Sequence, residues 1–472
     1  MNNFIGRKSE LMALQKAYNT PGFQMTVIYG RRRVGKSTLI KQFIKDKQAV
    51  YFTATKAGIA SNVDRWGKEV ISVLAPEMEG MSFTDMGTLL SFLGRKCKKN
   101  RVVVVIDEIP YLTEADNSFL SLLQNYIDNE WLNGQMYLIV CGSSISFMED
   151  EVLSSKSPLF GRRTSQIRLK AFSYIEAAEF VPQYSCEDKA ICYGITGGIA
   201  KYLSLINPHK SLDENIIELF FSKNGYLYEE TTNLLTQEFR NINTYNDIIE
   251  AIAFGANKVN EISDKAHVDP SVVSHAIKNL LVTEIVEKIT AITDENNNKK
   301  VQYSIKDGMF RFWYRYVPKA LAMIELDKGS EYYYKVVKPN IPEYMGSVFE
   351  DMCRYYTLLK GSEEEFGCFI TETGKWWGSN PKKREQTDID VVGIDRTAKK
   401  CVLGECKFKN EVIDKGIIED LQSRNGLIDH SFTTVAFLLF SKAGFSDWIT
   451  QNAESQMIKY YTLEDIYDNL IP

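Results

Sequence analysis

A glycine-rich stretch near the amino terminus carries residues suited to holding a nucleotide. Residues 30–37 read GRRRVGKS, between a short apolar run at 25–29 and a helical pattern that follows. In this spacing, glycines let backbone N–H groups curl around phosphate oxygens, the lysine reaches the β- and γ-phosphates, and the serine hydroxyl ligates Mg²⁺. A strand before the stretch and a helix after it are the context that predicts a phosphate-binding loop, or P-loop. The predicted nucleotide contacts are Gly30, Arg31, Arg32, Arg33, Val34, Gly35, Lys36, Ser37 and Thr38.

An acidic pair follows a second strand pattern. Residues 101–106 read RVVVVI, which is typical of a strand buried on both faces, and Asp107 and Glu108 come next. Asp107 suits a carboxylate that holds Mg²⁺ through water, and Glu108 suits a general base that orients the attacking water. Alone, such a pair would suit a helix cap or a solvated turn equally well. The P-loop upstream favours the catalytic interpretation.

A third apolar run leads into two serines. Residues 136–140 precede Ser143 and Ser144. Because open α/β sheets bind ligands at the carboxyl ends of their strands, Ser143 is predicted to contact the γ-phosphate, with Ser144 as the neighbouring candidate. Helix capping is the alternative role for both.

These stretches together resemble a known family. FIGRKSEL, GRRRVGKS, VVVVIDEIPYL, CGSS and PLFGRR resemble the archaeal-type ATPases, which are AAA+-related P-loop proteins grouped with the signal-transducing ATPases with numerous domains. The resemblance covers about residues 1–202. It implies that Arg162, or else Arg163, contacts a phosphate within one chain or across subunits; an ordinary surface ion pair is the alternative. The family's helical lid carries Gly-x-Pro, where this chain has Ala200 in place of the proline.

The middle of the chain is predicted to be helical, with one strand pair. Residues 173–233 suit an ATPase lid, and residues 241–318 suggest a winged helix-turn-helix whose third helix has Asp269 as its cap and Pro270 at its first position. DNA contact and a packing role both remain open, and the sparse charge on that helix favours packing. The residues expected to face outward, or to touch phosphates from the wing, are Ser271, Ser274, His275, Lys278, Lys299 and Lys300.

A second set of charged residues lies near the carboxyl terminus. Asp390 falls in an alternating strand pattern, and Glu405 and Lys407 fall in the next one. Since residues i and i+2 share a strand face, adjacent strands would bring the three side chains together. Such carboxylates suit Mg²⁺ or Mn²⁺, which could activate a water beside Lys407. A charged, solvated sheet face is the alternative.

This D…E-x-K arrangement resembles the PD-(D/E)xK nuclease superfamily, with its restriction-endonuclease-like fold, over about residues 339–441. Glu350 matches the helical acid of that pattern. The implied metal ligands are Glu350, Asp390 and Glu405, and the implied catalytic lysine is Lys407. A nearby basic group would supply a positive patch or form a charged loop: Lys375, Lys382, Lys383 and Arg384.

Composition limits the remaining classes. The 472 residues include 56 Lys and Arg and 61 Asp and Glu, so the net charge of −5 means that a polyanion would need a local patch. Eight scattered cysteines and four histidines give little support to a zinc site or a disulfide framework. No apolar run approaches the roughly 20 residues that span a bilayer, and the start lacks a signal peptide pattern. A cytoplasmic location without membrane contact is therefore expected.

The expected fold class is α/β: a parallel P-loop NTPase sheet with a helical lid, a winged helix-turn-helix and a restriction-endonuclease-like domain. The predicted boundaries are 1–170, 171–240, 241–318 and 331–472, an architecture that resembles a family of archaeal and bacterial ATPases. The sequence predicts an ATP-hydrolysing switch, with ATP and Mg²⁺ (or Mn²⁺ at the second site), coupled to a metal-dependent DNA nuclease; by resemblance, this suits defence or mobile-element biology. The alternative is an ATP-dependent DNA-binding regulator with a non-catalytic terminal domain. DNA is the expected partner, and a homo-oligomer is one option.

Overall fold

The computed structural model describes residues 4–294, 300–381 and 383–468. Two lysines predicted to approach a phosphate backbone, Lys299 and Lys382, lie outside the described residues. Within the described ranges, none of the helices has the length and apolar character that crossing a membrane requires.

The chain forms two compact units. One consists of Met1–Ala171 with Ile199–Tyr202, and the other of Phe172–Gly198 with Leu203–Pro472. The finer division into four domains stays a prediction.

The first unit contains a five-stranded sheet. Its strands are β1 (Gln24–Tyr29), β2 (Ala49–Thr53), β3 (Val102–Asp107), β4 (Met136–Gly142) and β5 (Ser165–Arg168). They lie in the order β2-β3-β4-β1-β5, and every pair is parallel. Every residue of β3 and β4 is buried, as their continuous apolar runs predict. The predicted α/β class with a parallel sheet is therefore confirmed for this unit.

Helices of the first unit connect these strands. They are α1 (Lys8–Asn19), α2 (Lys36–Ile44), α3 (Ile59–Leu74), α4 (Met86–Lys96), α5 (Pro110–Ala115), α6 (Phe119–Tyr126) and α7 (Ile145–Phe147). Helix α2 begins directly after the loop at 30–35, so its amino terminus faces that loop. Phe52 of β2 stacks on Trp66 of α3 with ring centroids 5.0 Å apart, which anchors β2 on the core side of the sheet.

The remaining helices follow along the chain. They are α8 (Tyr174–Ala178), α9 (Cys186–Thr196), α10 (Ala200–Leu203), α11 (Leu212–Phe220), α12 (Glu230–Glu238), α13 (Ile242–Ala253), α14 (Val259–Ala266), α15 (Pro270–Val282), α16 (Gly308–Glu325), α17 (Gly329–Tyr332), α18 (Ile341–Gly361), α19 (Lys415–Ser423), α20 (Asp447–Asn452) and α21 (Asp465–Asp468). Helix α16 runs through Pro318, so a continuous helix crosses the domain boundary predicted at that residue.

Helices α13, α14 and α15 precede an antiparallel strand pair, β6 (Val286–Ile289) and β7 (Gln302–Ile305). Asp269 and Pro270 take the predicted positions at the start of α15, although the Asp269 side chain makes no capping hydrogen bond. The outward face of α15 carries Ser271, His275 and Lys278 as exposed residues, whereas Ser274 is half-buried and donates to the Pro270 carbonyl at 2.8 Å. The identification of this segment as a winged helix stays a proposal.

A second five-stranded sheet lies in the carboxyl-terminal part. Its strands are β8 (Glu372–Asn380), β9 (Glu385–Asp395), β10 (Lys400–Lys407), β11 (Thr433–Ser441) and β12 (Ile458–Thr462). They lie in the order β12-β11-β10-β9-β8, with β8, β9 and β10 antiparallel and β10, β11 and β12 parallel. Helix α18 packs on β8, β9 and β10. The two strand patterns that the sequence predicts around Asp390 and Glu405 are thus neighbouring strands of one sheet.

Candidate functional site

The loop between β1 and α2 has a tightly constrained backbone. A Cβ atom at Gly30 (φ 151°) would lie 2.2 Å from the carbonyl oxygen of Leu169, so only glycine fits there. The Lys36 Nζ donates to the carbonyl oxygens of Gly30 at 2.8 Å and Arg31 at 2.9 Å. Burial lowers the pKa of Lys36, which the nearby carboxylates partly oppose. The lysine therefore lies across the loop, at the place where phosphate oxygens would replace the two carbonyls.

Two further segments of the first unit contact this loop. The Arg7 guanidinium is buried and donates to the Val34 carbonyl at 3.2 Å and to the Lys170 carbonyl at 2.7 Å. The Lys201 N–H donates to the Arg33 carbonyl at 3.0 Å. The segment that carries alanine in place of the expected proline thus touches the P-loop through its backbone.

The acidic pair meets the loop at the carboxyl end of β3. Ser37 Oγ donates to Asp107 Oδ2 at 2.9 Å, and the hydroxyl of Tyr51 donates to the same oxygen. The Glu108 N–H donates to Asp107 Oδ1 at 3.1 Å. Ser37 and Asp107 therefore present adjacent hard oxygen atoms, a donor set that fits Mg²⁺. Sequence reasoning missed Tyr51, because nothing in its own neighbourhood marks it.

The second acid of the pair is held by the end of β4. Glu108 has a left-handed backbone (φ 57°), and its carboxylate accepts the Ser143 N–H at 3.1 Å on Oε2 and the Ser143 hydroxyl on Oε1. The Ile109 N–H donates to the Cys141 carbonyl at 3.0 Å, which joins the two strand ends. The structure thus brings Glu108 and Ser143 together at the predicted edge. Ser144 caps α7 by accepting the Phe147 N–H at 3.4 Å, which is the alternative role foreseen for it.

The two candidate arginines are engaged within the first unit. Arg162 donates to both carboxylate oxygens of Asp128, at 3.0 and 2.7 Å, and to the Phe160 carbonyl at 2.8 Å. The hydrogen bond to Asp128 raises the pKa of Arg162. Arg163 donates to the Leu153 carbonyl at 2.8 Å. The ion pair is the alternative that the sequence left open for Arg162, and its contact with a phosphate stays a prediction.

A lysine lies among the acids of the carboxyl-terminal sheet. Lys375 Nζ is 3.2 Å from Glu350 Oε2, 3.2 Å from Asp388 Oδ2 and 3.9 Å from Asp390 Oδ1. The β8–β9 register shifts between Gly374 and Trp376, so Lys375 lies opposite a bulge in β9 that includes Asp390. Because bulges redirect side chains, this one explains why Lys375 points into the acids.

The E-x-K pair of β10 lies beside Asp390. The Cys406 N–H donates to Asp390 Oδ2 at 3.1 Å, and the two residues that flank Cys406, Glu405 and Lys407, lie near enough to interact electrostatically with Asp390. The Glu405 carboxylate contacts two cations: Lys407 Nζ lies 2.5 Å from Oε1, and the guanidinium of Arg424, which follows α19, lies 2.8 Å from Oε2. Burial, followed by the carboxylates of Glu350 and Glu405, raises the pKa of Asp390 to about 7.

Basic side chains thus neutralise the acids that the sequence assigned to a metal. In the part of the chain that the structure describes, no three His, Cys, Asp or Glu side chains are arranged to hold a metal ion. The metal roles of Glu350, Asp390 and Glu405 stay predictions. The expected positive patch is reduced as well, because Lys375 lies in the acid cluster and Lys383 pairs with Asp420 at 2.9 Å.

Comparisons with known proteins identify the first part of the chain. Residues 4–206 match a family described as an ATPase domain predominantly from Archaea. Residues 313–419 match a family described as archaeal and bacterial proteins of unknown function. The Walker-type ATPase paby2304 of Pyrococcus abyssi shares the fold, with a TM-score of 0.51 and 19% identity over 66% of this chain and 96% of that one. The fold, the loop and the acidic pair therefore define an archaeal-type P-loop ATPase domain, which confirms that prediction.

Two proteins of Methanocaldococcus jannaschii are similar in sequence. The uncharacterized protein MJECL04 is 30% identical over 429 residues, which is 90% of this chain and 92% of that protein. The uncharacterized ATP-binding protein MJ0423 is 44% identical over 45 residues, 10% of this chain and 76% of that protein. The chain belongs to the same family as MJECL04, and its residues 4–206 form the archaeal-type ATPase domain. The resemblance of its carboxyl-terminal part to nucleases stays a prediction, since the matching family has no assigned function.

Proposed function

We propose that the protein is an ATP-hydrolysing switch whose nucleotide state controls a carboxyl-terminal domain that cleaves DNA. The observation that carries the first half is the direct hydrogen bond from Ser37 to Asp107, at 2.9 Å, with Glu108 as the next residue. It joins the P-loop to the acidic pair at one sheet edge, where a nucleotide would bind.

Each residue at this edge of the sheet has a separate role in ATP hydrolysis. Lys36 exchanges its two carbonyl partners for the β- and γ-phosphates. Ser37 and Asp107 would hold Mg²⁺, which neutralises charge on the phosphates. Glu108 leaves the Ser143 hydroxyl and accepts a hydrogen bond from the attacking water, which it orients toward the γ-phosphate.

Support for DNA cleavage comes from the strands that meet in the second sheet. Asp390 accepts the N–H of Cys406, which lies between Glu405 and Lys407 on β10, and Glu350 of α18 contacts Lys375 beside them. That combination matches the acids and the lysine of the nuclease pattern. As arranged, however, these acids are paired with the chain's own cations, and in the described part of the chain they do not form a metal cage.

The same pairing favours a second candidate function. Lys375 contacts three carboxylates, and Lys407 and Arg424 share Glu405, so the cluster is balanced without a metal. A domain neutralised in this way suits an ATP-dependent regulator that binds DNA and does not cut it.

One experiment separates the two. Purified full-length protein is incubated with plasmid and linear DNA, with Mg²⁺ or Mn²⁺, with and without ATP. Cleavage that is lost in Glu405→Ala and Lys407→Ala and kept in Lys383→Ala supports the nuclease. Binding without cleavage under every metal supports the regulator. For the ATPase, Lys36→Ala should abolish nucleotide binding, and Glu108→Gln should bind ATP while slowing hydrolysis by about a hundredfold or more.

A further inference from the structure

Asp107 is fixed by three hydrogen bonds from three different places. Ser37 Oγ and the Tyr51 hydroxyl both donate to Oδ2, and the Glu108 N–H donates to Oδ1. The carboxylate is buried, with 3% of the residue exposed. Ser37 and Glu108 belong to the P-loop motif and the acidic pair, whereas Tyr51 comes from β2, a third element of the same unit.

The sheet determines where Tyr51 points. Strand β2 pairs in parallel with β3, with Thr53 opposite Asp107 and Tyr51 opposite Val105. Successive side chains of a strand alternate in direction, and Phe52 takes the core side, where it stacks on Trp66. Tyr51 therefore points to the opposite side, and its long ring carries the hydroxyl along the strand to Asp107.

The ring of Tyr51 is also held from α2. Lys41 Nζ lies 5.4 Å from the ring centroid, within cation–π range. The ring is thus held on one side by α2, while its hydroxyl donates to one oxygen of Asp107.

We infer that Tyr51 is a positioning residue that fixes the Asp107 carboxylate beside Ser37 and so sets how strongly the site takes Mg²⁺ together with its nucleotide. Without the Tyr51 hydroxyl, the Asp107 carboxylate still accepts hydrogen bonds from Ser37 and from the Glu108 N–H, but its side chain can rotate more freely. A ligand set that must be ordered at the moment of binding holds an ion more weakly than one already in place. This inference rests on the nucleotide binding proposed above and adds a residue from a third element to it.

The test measures binding of a fluorescent ATP analogue to the full-length protein, in EDTA and over a series of Mg²⁺ concentrations. Tyr51→Phe should bind the analogue in EDTA within about twofold of the unchanged protein. The Mg²⁺ concentration for half-maximal tightening should rise about tenfold, the order expected from one hydrogen bond to a carboxylate. Tyr18→Phe is the matched control, since that ring packs on Phe43 and Tyr137 in the same unit and should change neither value.

Two results would overturn the inference. One is a folded Tyr51→Phe protein with unchanged Mg²⁺ dependence. The other is equal weakening in EDTA and in Mg²⁺ with a lower melting temperature, which would indicate a merely structural ring. A double-mutant cycle tests the same bond from the acceptor side: with Asp107→Ala already present, which leaves no acceptor for the hydroxyl, Tyr51→Phe should add little, and a full additive loss contradicts action through Asp107. If the unchanged protein itself fails to bind the analogue, the proposed ATPase function fails, and the inference fails with it.

Discussion

Replacing Ser143 with alanine removes one of the two hydrogen bonds that hold Glu108. The hydroxyl that donates to Oε1 is lost, while the N–H of residue 143 still reaches Oε2 at 3.1 Å. Each Glu108 oxygen accepts one hydrogen bond from Ser143 and keeps a second lone pair, but the two bonds together hold the carboxylate against the end of β4. The carboxylate must turn away from Ser143 to reach a water beside the γ-phosphate, and the Ser143 hydroxyl opposes that turn. The substitution should therefore raise the basal rate of ATP hydrolysis.

The size of the effect follows from that one bond. A hydrogen bond to a charged group contributes roughly 1.5–3 kcal/mol, of which water returns part when the bond opens. Since about 1.4 kcal/mol corresponds to a tenfold rate change, kcat should rise about threefold to tenfold. KM for ATP should stay within about twofold, because the substitution removes a restraint on Glu108 and no phosphate contact.

Phosphate release measured at steady state gives both constants. Ser143→Thr keeps the hydroxyl and should behave like the unchanged protein. Ser144→Ala is the matched control, because that serine caps α7 and makes no contact with Glu108 in the bonds described. A fall in kcat or a rise in KM in Ser143→Ala would refute this reasoning and favour the γ-phosphate contact that the sequence predicts.

Three further predictions concern the other groups. Mixing Arg162→Ala with Lys36→Ala protein should restore part of the ATPase activity if Arg162 acts across subunits, and the absence of any restoration in the phosphate-release assay argues against that role. Lys375→Met should strengthen Mn²⁺ binding several-fold in calorimetry, because a neighbouring ammonium repels the ion, and equal or weaker binding would contradict this. Asp390→Asn should raise the unfolding temperature in EDTA at pH 8 and leave it nearly unchanged at pH 4. The reason is that the pKa of Asp390 is about 7 when folded and about 4 when unfolded, so the stability that its neutral form contributes is present below pH 4 and is lost as pH rises through about 7. The same change in melting temperature at both pH values would contradict this last prediction.

Patterns of neighbouring residues were sufficient to predict the elements that are determined by short-range sequence. The spacing of residues 30–37 determines the loop and the start of α2, and the continuous apolar runs determine β3 and β4. The proximity of Asp390 and Glu405 was also predictable. Each lies in a stretch whose side chains alternate between two faces, as in a strand, and the two stretches are close together in the chain.

The partners of these residues could not be predicted in the same way. Tyr51 and Asp107 are 56 residues apart in the chain, and they meet because β2 pairs with β3. No sequence pattern around Tyr51 indicates this contact. In the sequence, Lys375 precedes the basic residues 382–384, which predicts that it belongs to a positive patch. The bulge opposite it in β9 depends on strand register, which the sequence does not reveal, and it turns Lys375 into the acids instead.

Pro318 lies inside helix α16, although a proline usually breaks a helix because it lacks an N–H. Helix α16 continues through it, and buried aromatic rings on the same helix, such as Phe312 and Tyr316, supply packing that outweighs the lost bond. Tertiary contacts of this kind lie beyond any window of sequence.

The contacts of Lys36 with the carbonyls of Gly30 and Arg31 have a consequence for the stability of the fold. The lysine is buried, and a buried ammonium is costly unless hydrogen-bond acceptors surround it. Here the backbone of its own loop supplies two acceptors, so the charge can be kept inside the protein. The conformation of residues 30–35 and the burial of this one side chain therefore depend on each other.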